Sequence, residues 1–312
     1  MRKLQSAIYA WSFSLGRASR GTLLVLVSAV SFGLIPIFAR LAYSQGVGVR
    51  ELLFVRFLLA FLIMGTILAA SRRLIVPNKD DLLILIALGA LAYFLQSTLY
   101  FTALLYSPVA IVALLLYTYP VFVTIGAFVL GWEKISRRLA GAFVIATLGL
   151  ILAANPFGNT IGFGVILALG ASITYTIYIL GGSKVLRRIK GDVAAFYVLG
   201  AGSISFGLTG ALTGSIHLNW TPEGWFWVAM LTVICAVVAI STFFMGLSRI
   251  GPSRASLLSL VEPVTSVLVS LWLFGNALNA LQWFGGLLIL VATALTALYG
   301  NPEPRADAGG FT

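Results

Sequence analysis

Ten apolar stretches, each about 20 residues long, follow one another along this chain. A helix of roughly 20 apolar residues crosses the hydrocarbon core of a bilayer. The sequence therefore predicts an all-α integral membrane protein with ten transmembrane helices. The predicted spans are Thr22–Tyr43, Glu51–Ala70, Leu82–Leu104, Val109–Leu130, Leu139–Ala154, Thr160–Gly182, Val193–Thr213, Gly224–Met245, Arg254–Phe274 and Ala280–Tyr299.

The composition excludes several classes of protein. Charged residues make up 9% of the 312 residues, against about 25% in a globular domain, so the chain lacks the charge to cover a soluble surface. A single cysteine, Cys235, excludes a disulfide scaffold, and with the single histidine, His217, it argues against a metal site. The chain has no phosphate-binding loop motif and no Ser/His/Asp set. We expect neither a cofactor nor an enzymatic activity.

The net charge of +11 suggests either a nucleic-acid partner or orientation in a membrane. Every Lys and Arg except Arg40, Arg50 and Arg56 lies in a terminal tail or in every second connection between the spans. Basic connections face the cytoplasm. We therefore predict cytoplasmic tails at residues 1–20 and 301–312, and the charge then sets orientation, so we expect no nucleic-acid partner.

The two halves of the sequence resemble each other. Val112–Pro120 echoes Ala255–Pro263 at a distance of 143 residues, and Ser31–Arg40 aligns with Tyr175–Lys184 at 144. The repeats cover residues 21–155 and 159–300, with five predicted spans in each. Because five is an odd number, the second repeat enters the membrane from the other side. Such inverted repeats are typical of secondary transporters, with the substrate site between the repeats.

The proline segments, followed by Leu130–Glu133 and Leu273–Asn276, and the pair Arg56–Phe57 resemble the drug/metabolite transporter (DMT) superfamily, ten-helix EamA type, over about residues 20–300. Glu133 comes one residue late for the family's apolar-Gly-Glu ending, and Asn276 replaces its acid. By length and tyrosine-rich helices the chain is most similar to bacterial YddG-like exporters of aromatic and neutral amino acids. This resemblance implies export across the inner membrane down a gradient or by exchange, without a cofactor, and we expect a secondary active or facilitative transporter that works by alternating access.

Other functions remain open at this point. A multidrug carrier and a nucleotide-sugar-like carrier belong to the same superfamily, although phosphates would demand several embedded basic residues. A membrane enzyme would need clustered catalytic groups, and a channel would need rings of carboxylates or filter loops. The sequence leaves open whether the transporter is proton-coupled, and whether it is a monomer or a homodimer in the bilayer.

Charged groups inside predicted spans are candidates for function because they are expensive there. Glu262 shares one helix face with Ser259 and Ser266 and precedes Pro263, which interrupts the helix as Pro120 does in the first repeat. Glu262 either binds cargo, carries a proton, or is structural. Arg56 either points out towards water, binds a cargo carboxylate, or forms an ion pair with Glu262.

Tyrosines supply the remaining candidates, since a tyrosine offers a ring for apolar cargo and a hydroxyl that orients it. Tyr119 occupies the repeat position that matches Glu262. The polar and aromatic residues predicted to bind substrate with Ser259, Glu262 and Ser266 are Tyr93, Gln96, Tyr100, Tyr119, Tyr175, Tyr178 and Ser241.

Overall fold

The computed structural model is helical throughout the regular structure that it describes. The described residues are 19–131, 137–154, 162–185, 188–214, 216–250, 258–259, 261–275 and 278–299. In chain order the helices are α1 (Ser19–Ser44), α2 (Val49–Ala70), α3 (Lys79–Tyr106), α4 (Val109–Leu116), α5 (Tyr119–Val129), α6 (Arg137–Ala154), α7 (Phe163–Val185), α8 (Gly191–Leu212), α9 (Pro222–Val238), α10 (Ala239–Ile250), α11 (Val261–Phe274) and α12 (Ala280–Tyr299).

Five helices in the described part of the chain are long and apolar enough to cross a membrane: α1, α2, α3, α7 and α8. The other apolar stretches of helix in the described residues run for 10–17 residues. The fourth predicted span is divided into α4 and α5 by a gap at residues 117–118, and a turn at Ser259 comes before α11. The all-helical membrane class is therefore confirmed, while the division into ten spans stays a prediction.

Proline lies just after each of three interruptions. Pro36 follows the turn at Leu34 that bends α1, Pro120 is the second residue of α5, and Pro263 is the third residue of α11. Proline lacks the N–H that would continue the helical hydrogen bonds, and its ring clashes with the carbonyl four residues earlier. A proline near the start of a helical segment is tolerated, so each helix stops and begins again.

Two helices widen to a π-helical turn. The turn covers Leu88–Tyr93 within α3 and Val233–Val238 at the end of α9. The two turns occupy matching positions 145 residues apart in the chain. Such π turns are frequently found at functional sites, and here Tyr93 is the last residue of the first one.

The helices pack in pairs that span the two halves of the chain. α2 packs against α8, α3 against α7, α1 against α9, α4 against α11, and α6 against α12. Large rings fill the space beside glycines where α2 meets α8, as at Phe61 beside Gly200 and Phe54 beside Gly207. The main hydrophobic core draws residues from α1, α2, α3, α4, α7 and α8.

Side-chain contacts define the two ends of the helix bundle. At the first end, Arg188 contacts Asp81, which joins the α7–α8 connection to the first turn of α3. We call this the basic end. At the second end, Arg50 donates a hydrogen bond to Thr213, which joins the start of α2 to the end of α8. We call this the opposite end.

Candidate functional site

A cavity of about 470 Å³ lies inside the bundle, within the roughly 300–1,000 Å³ typical of small-molecule sites. Its walls come from both halves of the chain, which include α1, α2, α3, α4, α7, α8, α10 and α11. The polar, charged and tyrosine residues that line the cavity are Arg56, Tyr93, Gln96, Ser97, Tyr100, Tyr117, Tyr119, Tyr175, Tyr178, Ser259, Glu262 and Ser266.

The cavity reaches the basic end of the bundle. Its lining includes Gly191 and Ala194, which belong to the first turn of α8 at that end. Towards the opposite end its lining stops at residues such as Arg56, seven residues into α2, and Phe101, five residues before the end of α3. The cavity therefore extends to one end of the bundle and stops short of the other.

Glu262 is the acidic residue in the lining, and it is half-buried. The phenol of Tyr117 donates a hydrogen bond to its Oε2 atom. Tyr117 lies in the gap between α4 and α5, and Glu262 is the second residue of α11. This hydrogen bond thus links the interruption in the first half of the chain to the one in the second half.

The bend in α1 packs against the start of α11, next to Glu262. The Ser266 hydroxyl donates to the Gly33 carbonyl at 2.7 Å. A Cβ atom added at Gly33 would lie 2.6 Å from the Glu262 carbonyl oxygen, closer than real Cβ atoms approach. Only glycine therefore allows α1 to pass this near to the start of α11, and three interrupted helices converge at Glu262.

Arg56 is 7% exposed and contributes the basic side chain of the cavity lining. Its guanidinium carbon lies 5.2 Å from the ring centre of Phe101 and 6.0 Å from that of Phe57, in cation–π range. The ion pairs of the described residues are Arg73–Asp192 and Arg188–Asp81. Arg56 and Glu262 therefore share the cavity without the direct ion pair that was one of the sequence interpretations.

Tyrosine rings form a continuous row along one wall. Tyr117 lies 6.0 Å from Tyr119 between ring centres, and Tyr119 lies 4.8 Å from Tyr175 in an edge-to-face contact. Tyr175 stacks on Tyr178 at 5.9 Å, which stacks on Tyr93 at 5.1 Å. Aromatic pairs at such distances stabilise each other's orientation, so the row is a preformed surface for a flat apolar group.

Most of the residues predicted to bind substrate lie together in this lining. Gln96 and Tyr100 are nearly buried, and Gln96 accepts a hydrogen bond from the neighbouring Ser97. Ser241 is on α10, but its side chain lies outside what the structure describes, as does that of Pro120. Glu133 and Asn276, the variant ends of the repeated motif, also lie outside the described residues.

Sequence reasoning missed three residues at the site. Tyr117 is not among the residues that the sequence predicts to bind substrate, and Gly33 and Pro36 fall inside the single predicted span Thr22–Tyr43. The proline at Pro36 was a visible signal, since it stands within an apolar run as Pro120 and Pro263 do. Nothing in the local sequence indicates that Tyr117 reaches Glu262.

The fold resembles solved and curated proteins. A crystal structure with 19% sequence identity superimposes with a TM-score of 0.61, covering 90% of this chain and 97% of that chain, so the two share a fold. An uncharacterized transporter of Archaeoglobus fulgidus is 28% identical over 88% of this chain and 95% of its own length. The uncharacterized inner membrane transporter YedA of Escherichia coli is 25% identical over 61% of this chain and 62% of its own length.

The profile of the EamA-like transporter family matches the chain twice, at residues 19–155 and 162–298. Each match covers one half, so the duplication read from the proline segments also appears in the family profile. Together the matches cover nearly all of the residues that form the cavity walls. The chain therefore belongs to the EamA-like transporter family of the drug/metabolite transporter superfamily, and it is a membrane-embedded, multi-pass transporter of small molecules rather than an enzyme.

Proposed function

We propose that this transporter exports small amphipathic metabolites, above all neutral and aromatic amino acids, through the central cavity. The observation that carries the proposal is the chemistry of the lining, which combines a row of tyrosine rings with one carboxylate and one guanidinium. Rings fit an apolar side chain, Glu262 fits an ammonium group, and Arg56 fits a carboxylate. A zwitterionic amino acid with an aromatic side chain carries all three groups.

We infer that two inverted five-helix repeats, residues 21–155 and 159–300, enclose the cavity. Matching features of the halves support this. The π turns at Leu88–Tyr93 and Val233–Val238 correspond, and so do left-handed residues, Gly131 with Gly275 at φ 71° and 63°. Exchanging the halves also converts the α1–α9 pairing into the α7–α3 pairing. Five spans in each half would then reverse the direction of the second.

The proposed orientation follows from the basic connections. Positive connections face the cytoplasm, so the basic end and both chain termini would lie on the cytoplasmic side of a bacterial inner membrane. The cavity, which extends to the basic end, would then be open to cytoplasmic cargo. Export by alternating access requires the same cavity to reach the opposite end in a second state, with rearrangement at the three interrupted helices.

Transport into and out of proteoliposomes tests this function. We expect saturable counterflow of labelled phenylalanine, tyrosine or tryptophan, competed by the unlabelled amino acid. Saturation separates a carrier from a channel. Tyr106→Phe is the matched control, because Tyr106 is 58% exposed on the outer surface and lies outside the cavity lining. The absence of flux for all twenty amino acids would contradict an amino-acid transporter.

Glu262→Gln tests whether transport is coupled to protons. If Glu262 carries a proton during the cycle, the variant loses the stimulation of flux by a pH gradient, and the exchange that remains after loss of the ammonium contact is insensitive to that gradient. A neutral amide keeps the shape of the side chain and accepts from Tyr117, so the fold is preserved. If flux responds to a pH gradient equally in Glu262→Gln and in the unaltered protein, a residue other than Glu262 carries the proton.

A multidrug carrier is the second candidate, because tyrosine rings with a carboxylate also fit flat organic cations. A nucleotide-sugar-like cargo fits less well. Its phosphates need several basic partners, and Arg56 alone supplies a basic side chain to the described lining. Competition of amino-acid flux by ethidium but not by a nucleotide sugar distinguishes these cargo classes.

A further inference from the structure

A carboxylate within a membrane cavity needs a hydrogen-bond donor, since an unpaired charge is costly away from bulk water. For Glu262 the donor is the Tyr117 phenol. The basic side chain in the lining, Arg56, instead lies against the rings of Phe101 and Phe57. The hydrogen-bond partner of the Glu262 carboxylate is thus a neutral hydroxyl and not a cation.

The position of Tyr117 makes this contact replaceable. The residue follows the last residue of α4, and its backbone N–H donates to the Ala113 carbonyl, so rotation of the side chain alone can move the phenol away from Glu262. A phenol has one O–H to donate, while a primary ammonium group has three N–H donors and a full positive charge. Both hydrogen bonds to the carboxylate are charge-assisted, but only the ammonium group adds a positive charge that attracts the carboxylate directly. An ammonium group therefore outcompetes the phenol for the carboxylate.

The surroundings also suit a cation. Tyr117, Tyr119 and Tyr100 line the cavity with Glu262, and the faces of aromatic rings attract ammonium groups. Ser259, in the turn before α11, and Ser266, one helical turn after Glu262, also line the cavity, and the Ser266 hydroxyl donates to the Gly33 carbonyl. The arrangement is a carboxylate within an aromatic enclosure, a recognised form of site for amines.

We propose that Glu262 forms a primary-amine subsite, and that the Tyr117 hydroxyl occupies this subsite in the empty transporter until the amine of the cargo displaces it. The proposal rests on the proposed function and deepens it by assigning one group of the cargo to one residue. Tyr117 then sets specificity by competition: cargo with an amine regains the Glu262 contact, and cargo without an amine gains nothing from displacing the phenol. Displacement also breaks the link between the two interrupted helices.

The test is a binding measurement on the purified full-length protein with three related probes: L-phenylalanine, phenethylamine, which lacks the carboxylate, and 3-phenylpropionate, which lacks the amine. For Tyr117→Phe we expect roughly tenfold lower Kd values for the two amines, because the competing hydrogen bond is gone. The Kd of 3-phenylpropionate should stay unchanged. The same relative change for all three probes, or weaker binding of the amines, overturns the proposal.

Glu262→Gln provides an independent measurement that does not depend on the folding of Tyr117→Phe. This variant should abolish the preference for phenethylamine over 3-phenylpropionate, and in the double variant Tyr117→Phe should no longer tighten amine binding. A preference that survives in Glu262→Gln overturns the subsite. Tyr106→Phe should bind all three probes as the unaltered protein does.

The two proposals fail in different ways. Phenylalanine could be transported although the amine probes bind no differently from 3-phenylpropionate and Tyr117→Phe changes no Kd. That result would leave the transport function intact and remove the subsite. Amine-selective binding that depends on Glu262 and Tyr117, without flux of any amino acid, would retain the subsite and remove amino-acid transport.

Discussion

The two ends of the bundle are held by different kinds of contact. At the opposite end the Glu51 carboxylate, 8% exposed, accepts hydrogen bonds from the backbone N–H groups of Gly48 and His217 at 3.0 and 2.9 Å and from the Trp220 indole at 3.2 Å. Arg40 donates to the Leu104 carbonyl nearby. This end is closed by buried hydrogen bonds that tie the α8–α9 connection and α3 to the first two helices.

The basic end relies on ion pairs that are partly in water. Arg188 lies 3.3 Å from Asp81 with its side chain 60% exposed, and Arg73 lies 4.0 Å from Asp192 with its side chain 63% exposed. Exposed ion pairs contribute little because water and salt screen them. The cavity extends to the end that carries these exposed ion pairs.

The proposed alternating access would give this difference a functional meaning. Under that proposal, reaching a second state requires breaking the network around Glu51 and closing the basic end. The free-energy difference between the networks would then set the balance between the two proposed states. Variants at each end measure the two contributions separately, and they are expected to differ in size.

The largest effect is expected from Glu51→Gln. The amide keeps one acceptor oxygen but turns an NH₂ group towards N–H donors, which leaves a buried donor unsatisfied. A lost hydrogen bond to a charged group costs about 1.5–3 kcal/mol, and we expect the apparent melting temperature in detergent to fall by roughly 5 °C. A thiol-reactive dye provides the measurement, since the chain has one cysteine, Cys235, and it is 0% exposed.

Glu223→Gln is the matched control for this prediction. Glu223 lies at the same end, in the exposed first turn of α9, and its carboxylate accepts one long hydrogen bond of 3.4 Å from Trp227. The Glu223→Gln variant should melt within about 1 °C of the unaltered protein. Equal shifts for the two glutamine variants would break the comparison, because Glu51 would then be no more important than an exposed carboxylate.

Glu51 and Glu262 show what the sequence could and could not predict. Glu51 was recognisable as the start of an apolar span, but its partner His217 is 166 residues away in a connection without periodic pattern. The seam of Ser259, Glu262 and Ser266 was visible because residues three and four apart share a helix face, and all three line the cavity.

Helical periodicity fails to predict two other contacts near this seam, and each failure has a physical reason. Ser270 continues the seam by one more turn, yet its hydroxyl is buried without a hydrogen-bond partner and lies outside the cavity lining. Tyr117 does reach Glu262, but it lies in a gap where helical periodicity gives no direction. Periodicity predicts which face a residue occupies, and only the packing of α1, α4 and α11 determines what that face meets.

A smaller effect is expected from Asp81→Asn at the basic end. Asp81 is 2% exposed; its Oδ2 atom accepts a hydrogen bond from Asn78, and its Oδ1 atom faces Arg188 without hydrogen-bond geometry. The variant loses the attraction to a mostly exposed guanidinium and keeps the N-cap, in which Asn78 accepts from the Asp81 backbone. We expect the melting temperature to fall by about 2 °C.

Asp80→Asn is the control for Asp81→Asn, because Asp80 lies beside it in the first turn of α3 and is exposed. Both variants lose one negative charge near the N-terminus of the helix, so both lose the same interaction with the helix dipole. The difference between the melting temperatures of the two variants therefore measures the contribution of the contact with Arg188. A shift for Asp81→Asn as large as that of Glu51→Gln would mean that the two ends are held equally firmly.

The smallest effect is expected from Arg73→Ala. At 4.0 Å and 63% exposure, the Arg73–Asp192 pair should contribute no more than about 0.5 kcal/mol, which shifts the melting temperature by about 1 °C or less. The shift should vanish at about 1 M salt, where the screening length falls to roughly 3 Å, while the shift of Glu51→Gln should persist because its hydrogen bonds are buried. Lys190→Ala is the control, because Lys190 is an exposed basic residue at the same end, in the α7–α8 connection. A salt-resistant loss for Arg73→Ala alone would show that the basic end holds the bundle through more than screened charge.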